Sequence, residues 1–121
     1  MSLFKQSGLL FAIFVLSLFA GSAAGQQNGK GSPERGKVVF QDNGCFRCHT
    51  TDSPDVKRGP SLMGVFQRPP HALGDGTKHE KHTDEMLRVI IMEGTNRGMP
   101  PRGLFLTDRE MEDLLAYLHS L

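Results

Sequence analysis

The sequence predicts an all-α fold with three main helices. Three observations support this prediction. Three segments begin with helix-capping residues, apolar side chains recur in them at helical spacing, and no segment alternates polar and apolar residues as a half-buried strand would. No internal repeat is present, and the chain is long enough for one small domain.

The first predicted helix begins at Ser32-Pro33-Glu34. The serine caps the first turn, proline suits the first helical position, and an acid is favourable near a helix N-terminus. The helix should run to about Gln41 and end at Asp42-Asn43-Gly44. Gly36 lies four residues before Phe40 on the same face, so we expect another helix to approach closely there.

The second predicted helix begins at Thr83. This N-cap residue is followed by Asp84 and Glu85, two acids suited to a helix N-terminus, and Gly94 is the natural C-cap. Between these ends the apolar stripe consists of Leu87, Ile90 and Ile91.

The last predicted helix begins with the capping box Thr107-Asp108-Arg109-Glu110. Its apolar side consists of Met111, Leu114, Leu115, Leu118 and Leu121, with Tyr117 at the edge. On the opposite side we expect Glu110, Glu112 and Asp113 to form a solvated acidic face.

The segments between the helices are predicted to be loops. Residues 50–58 are polar, and residues 59–66 are interrupted by glycine and proline, with buried candidates at Leu62, Val65 and Phe66. Residues 67–82 form a polar loop that contains His71, His79 and His82. Residues 95–106 form the last loop.

Residues 1–24 have the pattern of a secretory signal peptide, with Lys5, an apolar run and small residues before the cleavage site. Cleavage after Ala24 leaves residues 25–31 as a flexible N-terminus and residues 32–121 as the folded domain. We therefore expect a periplasmic protein. The alternative is an uncleaved membrane anchor, for which the apolar run is short against the roughly 20 residues that a span needs.

The charge balance argues against nucleic acid or an anionic membrane surface as a generic partner. The chain has 14 Lys and Arg against 13 Asp and Glu, and loss of Lys5 with the signal peptide leaves the mature chain neutral. The chain has no tryptophan and a single tyrosine, so a core built only from its own side chains would be thin. A large buried cofactor would fill such a core.

The only two cysteines stand in Cys45-Phe46-Arg47-Cys48-His49. C-x-x-C-H is the attachment signature of a c-type haem, in which both thiols bond covalently to the vinyl groups and the imidazole binds the iron. At about 100° per residue, one helical turn can present all three side chains to the same ring. The motif therefore predicts Cys45 and Cys48 as the attachment residues and His49 as the proximal ligand.

Three other interpretations of the cysteines remain. A disulfide is one, because exported chains meet an oxidising environment. A thioredoxin-like site is another, although it needs a βαβ unit that the sequence does not predict. A zinc site could use Cys45, Cys48, His79 and His82, but only two residues separate the histidines, against the expected three to five.

One axial position of the haem iron remains to be assigned. Met99 is the preferred ligand because it lies in a loop, after a flexible glycine and before two prolines that hold the chain extended. A methionine on a helix more often fills the core. The other candidates are Met63, Met86, Met92, Met111, His71, His79, His82 and His119.

Five segments, in this order, resemble the class I monohaem c-type cytochromes over essentially the whole mature chain. They are Gly36-Lys37-Val38-Val39-Phe40, the motif at residues 45–49, Gly59-Pro60-Ser61-Leu62, Gly98-Met99-Pro100 and the stretch LLAYL at residues 114–118. The resemblance implies the cytochrome c fold, with helices and loops wrapped around one covalently bound haem c. It also implies that the Pro60 carbonyl orients His49 and that Met99 is the distal ligand. Tyr117 is then expected to pack against Gly36 and Phe40.

The resemblance implies electron transfer as the function. With His49 and Met99 both bound, the iron has no open position for a substrate, so we expect an electron-transfer protein and not an enzyme. It would be a soluble carrier or the electron-accepting haem subunit of a periplasmic dehydrogenase. The alternative is a haem enzyme, or a gas or redox sensor, with a labile sixth ligand.

The expected partners are redox proteins, namely a dehydrogenase, an oxidase or another cytochrome. We expect no nucleic acid and, after cleavage of the signal peptide, no membrane. Candidate contacts for an acidic partner are Arg47, Lys57, Arg58 and Arg97. Residues 67–82 are longer and richer in histidine than in the smallest family members, and we expect an exposed variable loop there. A docking element or a ligand switch by one of its histidines is the alternative.

Overall fold

The computed structural model describes residues 30–72 and 78–121. The predicted signal peptide, residues 1–24, lies outside the described residues, as does most of the predicted N-terminal segment 25–31. In the part of the chain that is described, no helix has the length and apolar character needed to cross a membrane.

Within residues 30–72 and 78–121 the fold is built from three α-helices, and they are the three that the sequence predicts. They are α1 (Pro33–Asp42), α2 (Asp84–Glu93) and α3 (Asp108–His119), so the all-α fold is confirmed. The predicted caps are in place. The hydroxyls of Ser32 and Thr83 each accept a backbone N–H three residues on, and Thr107 and Glu110 form the reciprocal capping box.

The pairing of α1 with α3 is the main helix contact. Gly36 lies so close to α3 that a Cβ built on it would collide with the Asp113 carbonyl oxygen and stand 2.7 Å from the Tyr117 Cβ. Four residues on, the Phe40 ring meets the Tyr117 ring edge-on, with centroids 5.5 Å apart and planes at 62°. The close approach at Gly36 and the packing of Tyr117 are therefore confirmed.

The hydrophobic core joins the three helices and the segment after Pro60. Its members are Val39, Phe40, Val65, Phe66, Leu87, Ile91, Met111, Leu114, Leu115 and Leu118. Leu62, Ile90 and Leu121 pack against it and remain partly exposed. The predicted apolar faces of all three helices therefore meet in one core.

The prediction that Asp113 belongs to a solvated acidic face is wrong. Asp113 is 3% exposed and faces α1. Its carboxylate accepts hydrogen bonds from Arg35 Nε at 2.7 Å and Nη2 at 2.8 Å, and from the Ser32 N–H at 2.7 Å. A buried carboxylate is tolerated when it is paired in this way. The hydrogen bond from Arg35 is the main reason why the pKa of Asp113 is lowered.

We expect Asp113→Asn to lower the free energy of unfolding by about 2 kcal/mol at pH 7, because the Arg35 guanidinium then donates to a neutral amide oxygen instead of a carboxylate, and half-exposed Arg35 regains water only in part. The lowered pKa means that this stabilisation is complete above the unfolded carboxyl pKa near 3.9 and is lost as pH falls through the folded value. Chemical denaturation of both proteins at pH 7 and pH 3 measures the difference, which should shrink at pH 3.

The matched control is Glu112→Gln, which removes the neighbouring ion pair between Arg88 and Glu112. Both of its side chains are about a third exposed or more, so this change should alter stability little. Equal losses in the two variants would contradict the role assigned to the buried Asp113 carboxylate.

Two segments that the sequence predicts as loops contain short regular elements. Residues 67–82 include a two-residue antiparallel ladder, β1 (His71–Ala72) with β2 (Lys78–His79), in which His71 is opposite His79. A 3-10 turn spans Gly103–Phe105. The ladder is too short to produce the alternation by which a strand is predicted from sequence.

Candidate functional site

The C-x-x-C-H motif lies on a tight turn directly after α1. Gly44 has φ +68°, a left-handed conformation that favours glycine, and it turns the chain out of the helix. A 3-10 turn follows over Cys45–Arg47. The N–H groups of Cys48 and His49 both donate to the Cys45 carbonyl, at 3.1 Å and 3.0 Å. The two sulfurs and the imidazole are therefore carried by one turn of backbone.

Both cysteines are free thiols, and Cys45 contacts the hydrophobic core. Burial is the main reason why the pKa of the Cys45 thiol is raised, while the nearby Arg102 guanidinium acts in the opposite direction. Arg102, which belongs to the segment after Met99, therefore lies near the motif. Nothing in the sequence pattern around Arg102 indicated that position.

The orientation of His49 is set by Pro60. His49 Nδ1 lies 2.7 Å from the Pro60 carbonyl oxygen. A carbonyl can only accept, so Nδ1 carries the proton and, in the neutral ring, Nε2 keeps the lone pair that a metal needs. The imidazole also packs on Gly59, where an added Cβ would collide with the ring.

A set of side chains holds the Pro60 segment in position. Ser61 is buried, and its hydroxyl donates to the Ser53 carbonyl at 2.6 Å. The Arg68 guanidinium donates to the carbonyls of Ser61 at 2.6 Å and Met63 at 2.8 Å. Arg68 thus fixes the backbone beside the carbonyl that orients His49. Its partners are main-chain groups, so no residue pattern could have identified them.

Residues 57–59 form two further hydrogen bonds to main-chain carbonyls of the motif. The Gly59 N–H donates to the Cys48 carbonyl at 2.9 Å, and Lys57 Nζ donates to the Phe46 carbonyl at 2.8 Å. Lys57 was expected as a contact for an acidic partner, but its ammonium group is hydrogen-bonded within the chain. Arg47 and Arg58 are exposed.

Met99 lies in a closed loop and packs against the same core as Cys45. Gly98 before it has φ +103°, and the main chain of Met99 is hydrogen-bonded to Thr95. Met99 therefore lies in a hydrogen-bonded loop and packs against the core that the C-x-x-C-H motif also contacts.

The other methionine candidates lie in different surroundings. Met111 is buried in the core. Met63 and Met92 are 41% and 46% exposed, so Met92 does not fill the core as expected for a helical methionine. Met86 is half-buried.

Among the histidines, His119 is stacked on Phe66, with centroids 3.6 Å apart, and its Nε2 is 2.6 Å from Asp84 Oδ1. His71 Nδ1 is 3.2 Å from the Pro69 carbonyl. His82 is half-buried, and the side chain of His79 lies outside the described residues.

The alternatives for the cysteines find no support in the described residues. The cysteines form no disulfide. No group of three or more His, Cys, Asp or Glu side chains there could hold a metal ion, and the two-residue ladder forms no βαβ unit. The donor set fits a haem instead, since it offers two free thiols, an imidazole of the correct tautomer and a thioether.

Comparison with known proteins shows the family to which the chain is similar. The family model described as Cytochrome c matches residues 33–121, from the start of α1 to the last residue. A curated protein, "Cytochrome c 2.1" of Caenorhabditis briggsae, is 45% identical over 38 residues. That alignment covers 31% of this chain and 33% of the relative, so the similarity spans about a third of each protein.

Proposed function

Because the chain belongs to the cytochrome c family, whose members carry covalently bound haem c and transfer electrons, we propose that it is a six-coordinate electron-transfer protein with His49 and Met99 as its axial ligands. Cys45 and Cys48 form the thioether bonds in this proposal. The haem supplies a reversible one-electron iron couple when bound.

The observation that carries the proposal is the hydrogen bond between His49 Nδ1 and the Pro60 carbonyl at 2.7 Å. A backbone carbonyl that accepts from the non-ligating nitrogen fixes the ring orientation and raises the basicity of the ligating nitrogen. Gly59 and Arg68 support this arrangement, because one packs against the ring and the other holds the neighbouring carbonyls. His49 is thereby pre-oriented as the proximal ligand.

On the distal side the support comes from the backbone of Met99. Its loop is hydrogen-bonded at Thr95, and the rigid residues Pro100 and Pro101 follow. Met63 and Met92 are exposed, and Met111 is buried within the core. These three methionines are therefore poorer candidates for the distal ligand. A thioether ligand raises the reduction potential relative to harder ligands, as suits an electron carrier.

The proposal also includes export of the protein to the periplasm and the class of its redox partners. Residues 1–24 act as a signal peptide, and residues 32–121 work in the periplasm as a soluble carrier or as the haem subunit of a dehydrogenase. The partners are a dehydrogenase, an oxidase or another cytochrome. Exposed Arg47 and Arg58, beside the attachment motif, offer charge to an acidic partner at a small docking surface.

We expect the oxidised wild-type holoprotein to show a sulfur-to-iron charge-transfer band at the red end of its spectrum. We also expect the reduced protein not to bind carbon monoxide at neutral pH, because both axial positions are filled. Absorption spectra of the two oxidation states, with and without carbon monoxide, measure both properties. A missing band would contradict methionine ligation, and rapid carbon monoxide binding would favour a haem enzyme or gas sensor.

A further inference from the structure

We propose that Thr95 is a positioning residue that keeps Met99 on the iron, and that its hydroxyl slows dissociation of the distal ligand. The inference rests on the proposed role of Met99 as ligand. It assigns to Thr95 a kinetic function, namely control over how readily the sixth position opens to an external ligand.

Thr95 bonds to both main-chain groups of Met99. The Thr95 N–H donates to the Met99 carbonyl at 2.9 Å, and the Met99 N–H donates to Thr95 Oγ1 at 3.3 Å. Within the turn that these two hydrogen bonds close, the Gly98 N–H donates to the Thr95 carbonyl at 3.2 Å. One threonine therefore closes the whole turn around the ligand.

The turn is fixed to the last turn of α2 at both ends. Before Thr95, the Gly94 N–H donates to the Ile90 carbonyl at 2.9 Å. After Met99, the Arg102 N–H donates to the Ile91 carbonyl at 2.8 Å. Ile91 is itself buried in the core. The turn that contains Thr95 and Met99 is thus anchored to α2 on both sides.

Few other interactions could replace the Thr95 hydroxyl. Pro100 and Pro101 follow Met99 and have no N–H to donate. On the other side, a Cβ added to Gly98 would meet no atom within 4 Å among the described residues, so this part of the turn lies against open space. The hydroxyl is the only side-chain group bonded to the Met99 main chain in the described residues.

Dissociation of a methionine whose main chain is held requires the turn to open, which breaks the bond to Thr95 Oγ1. Thr95→Val removes the hydroxyl and keeps the shape, while Thr95→Ser keeps the hydroxyl. We therefore expect Thr95→Val to raise the rate of Met99 dissociation about two- to tenfold, the change that loss of one ordinary hydrogen bond produces. Thr95→Ser should restore a rate close to that of the wild type.

The test uses the ferric holoprotein with imidazole as the entering ligand. At saturating imidazole the observed rate equals the rate at which Met99 leaves, and stopped-flow absorbance measures it. Thr83→Val is the matched control, since it removes another exposed threonine hydroxyl, the one that caps α2 and accepts from the Met86 N–H at 3.2 Å. It should lower stability without raising the rate. A similar rate increase in Thr83→Val would mean that Thr95 acts only through global stability.

Hydrogen exchange of the Met99 amide gives a second measurement, and its result in the wild-type holoprotein tests the inference even if Thr95→Val does not mature. The amide should be protected in the wild type and exchange faster in Thr95→Val but not in Thr95→Ser. An unprotected Met99 amide in the wild type, or equal imidazole rates in wild type and Thr95→Val, would overturn the inference. A wild type without the charge-transfer band would instead overturn the assignment of Met99 as ligand.

Discussion

Met99→Ala is expected to lower the reduction potential by on the order of 0.1 V or more, within the roughly 0.8 V range over which axial ligands set haem potentials. Loss of the thioether removes the soft ligand that favours ferrous iron. The same change should abolish the charge-transfer band and allow the reduced protein to bind carbon monoxide at neutral pH. A spectroscopic redox titration of wild type and variant measures the potential and the band together.

Met63→Ala is the matched control. Met63 follows the Pro60 segment and, like Met99, is a candidate ligand that lies outside the three helices. We expect its removal to leave the band and the carbon monoxide behaviour unchanged. If Met63→Ala abolishes the band and Met99→Ala does not, the distal ligand has been assigned to the wrong loop.

Gly36→Ala is expected to have the largest effect on stability, a loss of about 3 kcal/mol in the free energy of unfolding, the upper end of the usual cost of overpacking. The added Cβ would collide with the backbone carbonyl of Asp113, which cannot rotate away as a flexible side chain can. Relief of the collision requires α1 and α3 to separate, and that weakens the contact between Phe40 and Tyr117. Guanidinium denaturation of the holoprotein measures the loss.

Lys37→Ala provides the comparison for Gly36→Ala. Lys37 is the next residue of α1 and is exposed, so alanine there should change stability little. A Gly36→Ala protein as stable as Lys37→Ala would show that the helices can separate at no cost, contrary to the tight packing described above.

The helices could be predicted because their signals are local. Ser32, Thr83 and Thr107 each cap a helix whose first turn lies within three residues, and their caps form as expected. The C-x-x-C-H motif is local in the same sense. Gly36 could be recognised because a glycine and an aromatic residue share one face of a helix.

The remainder of the site depends on contacts between distant segments. Asp113 has the same charge as its half-buried neighbour Glu112, and only the packing of α1 with Arg35 against it distinguishes the two. Lys57 and Arg68 bond to carbonyl oxygens, which every residue possesses. Thr95 is separated from Met99 by a turn whose closure no sequence pattern specified.

The pairing of α1 with α3 has a consequence for the order of events in maturation. The two helices are the first and last elements along the chain, although they pack together in space. Their interface therefore closes a long chain segment and cannot form until the last helix has been made. The two cysteines belong to the first part of the domain and immediately follow α1. The thiols can therefore be reached while the polypeptide is still open, before α3 packs against α1 and completes the domain.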